Sequence, residues 1–280
     1  MRIVEAALVG ETVRRLCIEA NRTLPPGVRK AIRACRKKED NPLAREVLDS
    51  IIENYELAER EALPICQDTG MACVFLETGM EVHIAGDINA AINRGVSAGY
   101  TGGFLRSSVV ADPLFSRKNT GDNTPAMIYT EFVPGDKVTV TVAPKGFGSE
   151  NMSRIAMLSP SGGEEGIVDF VLKTVKEAGP NPCPPIVLGL GIGGNFDKAA
   201  LLSKKALLRP PGEFNRDPRY AELEKRLLET INGLGIGPAG YGGRSTALSV
   251  AVETLPTHIA GLPCAVNINC HVCRHAREIL

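Results

Sequence analysis

Neither charge is in excess in this chain: 32 lysines and arginines balance 32 aspartates and glutamates. A nucleic-acid footprint calls for a basic patch or stripe, so the balance speaks against such a partner. No apolar run approaches the ~20 residues of a membrane helix. The start, Met1-Arg-Ile-Val-Glu-Ala-Ala7, lacks the apolar core of a signal peptide. Internal repeats and low-complexity linkers are also missing. Eight cysteines in 280 residues are too sparse for a secreted disulfide scaffold. A reducing, cytoplasmic setting is expected, in which thiols stay available for metal. The chain stops soon after His271, which predicts a docked end and not a tail.

An apolar content of 44% is ordinary for a protein that buries a core. The length is near the upper limit for a single core. The expectation is one domain over 1–280, with a helical N-terminal part over 1–62 and a mixed α/β body over 63–280. The helical part is punctuated by Pro25 and Pro26, continues with a basic helix over 27–38, and restarts at Asn41 as cap with Pro42 at the first position. Residues 72–76 read as a strand and 87–98 as a capped helix. Residues 127–133 and 137–142 alternate with period two around Pro134-Gly135-Asp136, which predicts an antiparallel hairpin. Helices are expected over 164–178, 196–208 and 217–231, with strands over 186–190, 247–252 and 262–268. Helices and strands intermix without a strict βαβ repeat. The fold class is therefore α+β, a mixed sheet with an antiparallel hairpin flanked by helices.

Three cysteines occupy unlike and constrained contexts. Cys66 lies in Pro64-Ile-Cys-Gln-Asp-Thr-Gly70, a polar turn; Cys183 lies in Pro182-Cys-Pro-Pro185, a stiff segment. Cys270 lies in Asn267-Ile-Asn-Cys-His271. They are too far apart in sequence for a finger loop. If they meet in the fold, three thiolates suit an iron–sulfur cluster with one iron left open. A single cysteine is more often a small buried hydrophobe, and Cys17, Cys35 and Cys73 sit in apolar patterns of that kind.

Other motifs compete. Gly189-Leu-Gly-Ile-Gly-Gly194 follows an apolar strand and fits the dinucleotide pattern, the basis of a nicotinamide-dependent oxidoreductase reading. The motif begins too late for a doubly wound domain, and the acidic residue expected about twenty positions on is Glu213, in a loop. Close packing of strand and helix explains the glycines better. Gly240-Tyr-Gly-Gly-Arg-Ser-Thr246 fails as a phosphate loop, since Arg244 and Pro238 stand where Lys and Gly are needed; a backbone nest for an anion is still open to it. Cys270-His-Val-Cys-Arg-His275 offers a zinc knuckle, hence a zinc-stabilised interaction module, but no second C-x-x-C completes it. The loop Lys145-Gly-Phe-Gly-Ser-Glu-Asn151 concentrates polar groups on glycine hinges, where function often sits. His258, alone among apolar neighbours, reads as structural unless it has company.

Taken together, Cys66-Gln-Asp-Thr-Gly70, Lys145 to Asn151, Cys183-Pro-Pro185 with Gly191-Ile-Gly-Gly194, Gly243-Arg-Ser-Thr-Ala-Leu248 and Pro256 through His271 resemble the α subunit of the class I fumarate hydratase and L-tartrate dehydratase family, over nearly the whole chain. The resemblance implies a hydro-lyase that reversibly hydrates a four-carbon dicarboxylate, fumarate/malate first and L-tartrate as the alternative. It implies a [4Fe-4S] cluster held by Cys66, Cys183 and Cys270. Asp68 and His258 become catalytic; Gln67, Arg106, Lys145, Gly148 and Ser149 become substrate-binding. The general base is then expected on a β subunit, in an α2β2-type assembly. One departure stands near the third ligand: Cys273 occupies a place usually held by a small residue.

Overall fold

The computed structural model describes residues 1–280, all of the chain. Strand β1 (Arg2–Glu5) leads into helices α1 (Ala6–Arg22), α2 (Pro26–Lys38) and α3 (Pro42–Arg60). Strands β2 (Met71–Gly79) and β3 (Val82–Ala85), helix α4 (Ile88–Gly102), and strands β4 (Met127–Val133) and β5 (Val138–Lys145) follow. The short helix α5 (Phe147–Glu150), β6 (Arg154–Leu158), α6 (Gly163–Ala178), β7 (Ile186–Gly193) and α7 (Phe196–Ala206) come next. The chain closes with α8 (Pro218–Asn232), β8 (Ala247–Leu255), β9 (Leu262–Asn269) and β10 (Ala276–Ile279). This is the mixed α+β class expected from the sequence.

Two compact units share the chain. The first comprises Met1–Leu24, Tyr55–Phe147 and Arg274–Leu280; the second comprises Pro25–Asn54 and Gly148–Cys273. In the first, a four-stranded sheet has the order β10-β5-β2-β4, and β1 pairs in parallel with β3. Val74, Leu76, Val138, Val140 and Val142 of the sheet pack with Val9, Val13 and Leu16 of α1 and Ile92 and Val96 of α4. The two helices lie backbone to backbone: a Cβ on Gly95 would sit 2.2 Å from the Gly10 carbonyl oxygen. In the second unit the order is β6-β9-β7-β8, with β7 parallel to β8 and antiparallel to β9. Every residue of β7 is buried, as a continuous apolar run demands of a central strand.

Two sequence expectations need correction. Residues 2–5 form a strand and not part of the first helix. More substantially, β4 and β5 do not form a hairpin: both flank β2, parallel to β4 and antiparallel to β5. The cause is non-local. Strand β2, with seven of its nine residues buried, lies between β5 and β4 and pairs with both. The turn between β4 and β5 then serves the end of β2, where the Gly135 carbonyl accepts from Glu81 N–H at 3.0 Å. Local signals were otherwise reliable. Asn41 Oδ1 accepts from Leu43 N–H and Ala44 N–H at the start of α3, and Asp87 caps α4 through Ala90 N–H.

Candidate active site

The first unit assembles a polar turn. In Cys66-Gln67-Asp68-Thr69-Gly70, the Asp68 carboxylate accepts from Gly70 N–H at 3.0 Å and from Phe147 N–H at 2.9 Å. Asp68 thus ties its own turn to the Lys145-Gly146-Phe147 segment. The approach is tight: a Cβ on Gly70 would lie 2.7 Å from the Lys145 carbonyl carbon, too close for a side chain, and one on Gly146 would press on Asp68 Oδ2 at 3.0 Å. Thr69, buried, locks Arg106 to the same turn. Its hydroxyl accepts from Arg106 N–H at 2.9 Å and donates to the Arg106 carbonyl at 3.1 Å. The Arg106 side chain is exposed, while its backbone is fixed.

Buried side chains hold the carbonyls of the turn from below. Tyr100 Oη lies 2.9 Å from the Thr69 oxygen and 3.0 Å from the Gly70 oxygen; Asn123 Nδ2 donates to Gly70 at 3.0 Å. Arg274 donates from Nη2 to the Asp68 carbonyl. The upper side carries the reactive groups: Gln67 is exposed, and the half-buried Cys66 thiol donates to Gln67 Oε1 at 3.0 Å. Of the predicted residues, the first unit thus brings together Cys66, Gln67, Asp68, Arg106 and Lys145. Lys145 is buried, with Nζ reaching the Gly146 carbonyl at 3.5 Å.

The second unit gathers Cys183, Cys270, Gly148 and Ser149. Cys183 is exposed and has φ 54°, a left-handed conformation that a non-glycine residue seldom adopts outside strained or functional sites. His271 Nδ1 lies 3.0 Å from the Cys183 carbonyl; since a carbonyl can only accept, Nδ1 donates. Burial of the imidazole lowers its pKa, which favours the neutral ring. Asn269 Oδ1 accepts from Cys270 N–H at 3.2 Å and from Ser149 Oγ at 3.4 Å, linking the third cysteine to the 148–151 segment. Glu150 extends this network to Lys204 at 2.6 Å and Asn267 at 3.1 Å. Gly148 is exposed and has open space at its Cβ position. His258 stands apart on the exposed β8–β9 connection. There its Nδ1 accepts from Ala260 N–H at 3.1 Å and its carbonyl from Gly261 N–H at 2.9 Å. The neutral ring therefore carries its proton on Nε2.

The eight cysteines form no disulfide and fall into two groups. Cys17, Cys73, Cys264 and Cys273 are buried, and burial pushes the Cys17 and Cys264 thiols up to about 12. Such thiols are poor ligands, because binding requires the thiolate. Cys35, Cys66, Cys183 and Cys270 are exposed or half-buried, and of these burial raises the Cys35 thiol. No group of three His, Cys, Asp or Glu side chains is arranged around a single point ready to hold a metal ion. Cys273, the partner required by a zinc knuckle, instead turns its buried sulfur to the Leu207 carbonyl at 3.5 Å.

The glycine motifs have structural explanations. A Cβ on Gly189 would meet the Ser203 carbonyl oxygen at 2.0 Å, and one on Gly191 the Ala199 carbonyl oxygen at 2.0 Å. These glycines let α7 lie directly on β7. The Gly243-Arg244 backbone does cradle an anion, but it is the chain's own Glu39: Arg244 N–H donates to Glu39 Oε2 at 2.9 Å.

Asn269, Tyr100, Asn123 and Arg274 were not identified from the sequence. Asn269 adjoins Cys270 in a stretch already singled out, and that adjacency was the available signal. The others carry none, since they act on main-chain atoms remote in sequence.

The chain is similar to known proteins over most of its length. The fumarate hydratase (fumerase) family profile matches residues 10–278. A protein of Methanocaldococcus jannaschii provisionally named L(+)-tartrate dehydratase subunit alpha is 44% identical over 275 residues, covering 96% of either chain. L(+)-tartrate dehydratase subunit alpha of Escherichia coli strain UTI89 is 32% identical over 249 residues, 88% of this chain and 82% of its own length. The protein of the same name from Escherichia coli K12 is 31% identical over the same shares.

Proposed function

Since the chain belongs to the fumarate hydratase family, a family of hydro-lyases, we propose that it is the α subunit of a [4Fe-4S]-dependent enzyme that adds water to, and removes it from, a four-carbon dicarboxylate. Fumarate/malate is the first reading. L-tartrate is the second, favoured by the names of the relatives at 44% and 32% identity. The observation that carries the proposal is the Cys66–Gly70 turn, with Asp68, Gln67, Arg106 and Lys145 built around one cysteine.

The donor set fits the cluster. Three thiols in unlike polar settings, Cys66, Cys183 and Cys270, are neither disulfide-bonded nor buried in apolar core, and these are the three this reading assigns as ligands. When bound, a cluster with one iron lacking a protein ligand supplies a Lewis acid for a substrate hydroxyl.

The chain's own groups have distinct tasks in this reading. Arg106, with backbone fixed by Thr69 and side chain exposed, grips a carboxylate as a planar fork. Gln67 offers an amide to orient substrate, and Lys145, Gly148 and Ser149 contribute further contacts. Asp68 and His258 handle the proton that accompanies the departing hydroxyl, and the Nε2–H of His258 is a hydrogen-bond donor toward it. The base for the carbon-bound proton belongs to a β subunit, in an α2β2-type cytoplasmic assembly. No helix of the chain is long and apolar enough to cross a membrane.

The test is assembly. Alone, the chain should not turn over L-malate, fumarate or L-tartrate; mixed anaerobically with its β subunit, it should turn over at least one. Robust activity of the isolated chain contradicts the division of the site, and inactivity of the complex on all three contradicts the substrate class.

A further inference from the structure

Arg274 is only 4% exposed, yet no carboxylate pairs with it. Its Nη2 donates to the Asp68 main-chain oxygen, and its Nε is buried without a partner. A buried cation without a counter-ion is costly, and charge-assisted hydrogen bonds are the stronger kind. The single bond it makes falls on the peptide joining Asp68 to Thr69. From that peptide, Asp68 reaches forward to Phe147 N–H, and the Thr69 hydroxyl holds Arg106 on both sides of its backbone. Tyr100 and Asn123 hold the next carbonyls but bring no charge.

We propose that Arg274 is a positioning residue: its uncompensated guanidinium, bonded to the Asp68 carbonyl, fixes the orientation of Asp68 and, through Thr69, of Arg106. The inference rests on the reading of this turn as the active site. Arg274 touches no reacting group itself, so its loss acts on the geometry of the reaction and not on the number of substrate contacts. A neutral side chain of similar length fills the same space and removes a buried charge that has no counter-ion.

The experiment compares Arg274→Met and Arg274→Lys in the assembled two-subunit enzyme, with Asp68→Asn alongside. Arg274→Met should lower kcat about ten- to a hundredfold, the range of one charge-assisted hydrogen bond, with KM for the converted substrate within about twofold. Arg274→Lys, which keeps the charge and a donor, should recover most of kcat. Iron content and the urea midpoint should match wild type in both. Hydrogen exchange in the 65–70 segment should quicken in the Met variant and stay slow in the Lys variant. Unchanged kcat and exchange in Arg274→Met overturn the inference, as does a loss that Arg274→Lys fails to restore. An Asp68→Asn enzyme with normal kcat instead overturns the reading of the site. An inactive Asp68→Asn beside a normal Arg274→Met removes Arg274 alone.

Discussion

Thr69 and Arg106 bond twice through one hydroxyl, which accepts from the Arg106 N–H at 2.9 Å and donates to its carbonyl at 3.1 Å. A residue three places after Cys66 thus fixes the backbone of an arginine far along the chain and leaves its guanidinium exposed. That is how a carboxylate-gripping group is aimed: rigid below, open above.

Arg106→Lys keeps the charge and loses the planar fork. In the two-subunit enzyme kcat/KM should fall roughly ten- to a hundredfold, the value of a charge-assisted hydrogen bond to the substrate. Iron content should stay unchanged. Normal kinetics would remove Arg106 from the site.

Gly191 tests the structural origin of the glycine motif. A Cβ there would lie 2.0 Å from the Ala199 carbonyl oxygen and 2.6 Å from Ser203 N, so α7 has to move. Gly191→Ala should cost ~1–3 kcal/mol by overpacking, measured as a lowered urea midpoint. An unshifted midpoint would show that the glycine is not there for packing.

Asp217 predicts a pH dependence. It caps α8, accepting from Arg219 N–H at 2.9 Å, and pairs with the Arg219 guanidinium at 2.6 Å. Chiefly the guanidinium, then the backbone amide, pulls its pKa from the ordinary 3.8 to about 2. The folded pKa is the lower one, so the contribution is present above 3.8 and lost as pH falls toward about 2. The difference in urea midpoint between wild type and Asp217→Asn should therefore close over that window. A difference that persists at the acid end would contradict it.

The sequence revealed local features best. Asn41-Pro42 and Asp87 announced their helices because a cap needs only its own next few residues. The β4–β5 pairing was misread because β2, far upstream, intervenes; a turn of Pro134-Gly135-Asp136 carries no trace of that competitor. The same division holds at the site. Gln67, Asp68 and Thr69 were visible beside Cys66, whereas Arg274 and Asn123 bind carbonyls whose sequence positions nothing local encodes. Cys17 and Cys73 were separable from Cys66 because polar turns and apolar runs look different in sequence and end with different burial.

The most direct test is iron and sulfide analysis with an absorption spectrum on anaerobically prepared protein, wild type beside Cys66→Ala, Cys183→Ala, Cys270→Ala and Cys264→Ala. The account predicts about four irons with matching sulfide and a brown chromophore bleached by air. Each of the first three variants should lose it, and Cys264→Ala should keep it. Stoichiometric zinc without sulfide, or a cluster untouched by loss of Cys183, would contradict it.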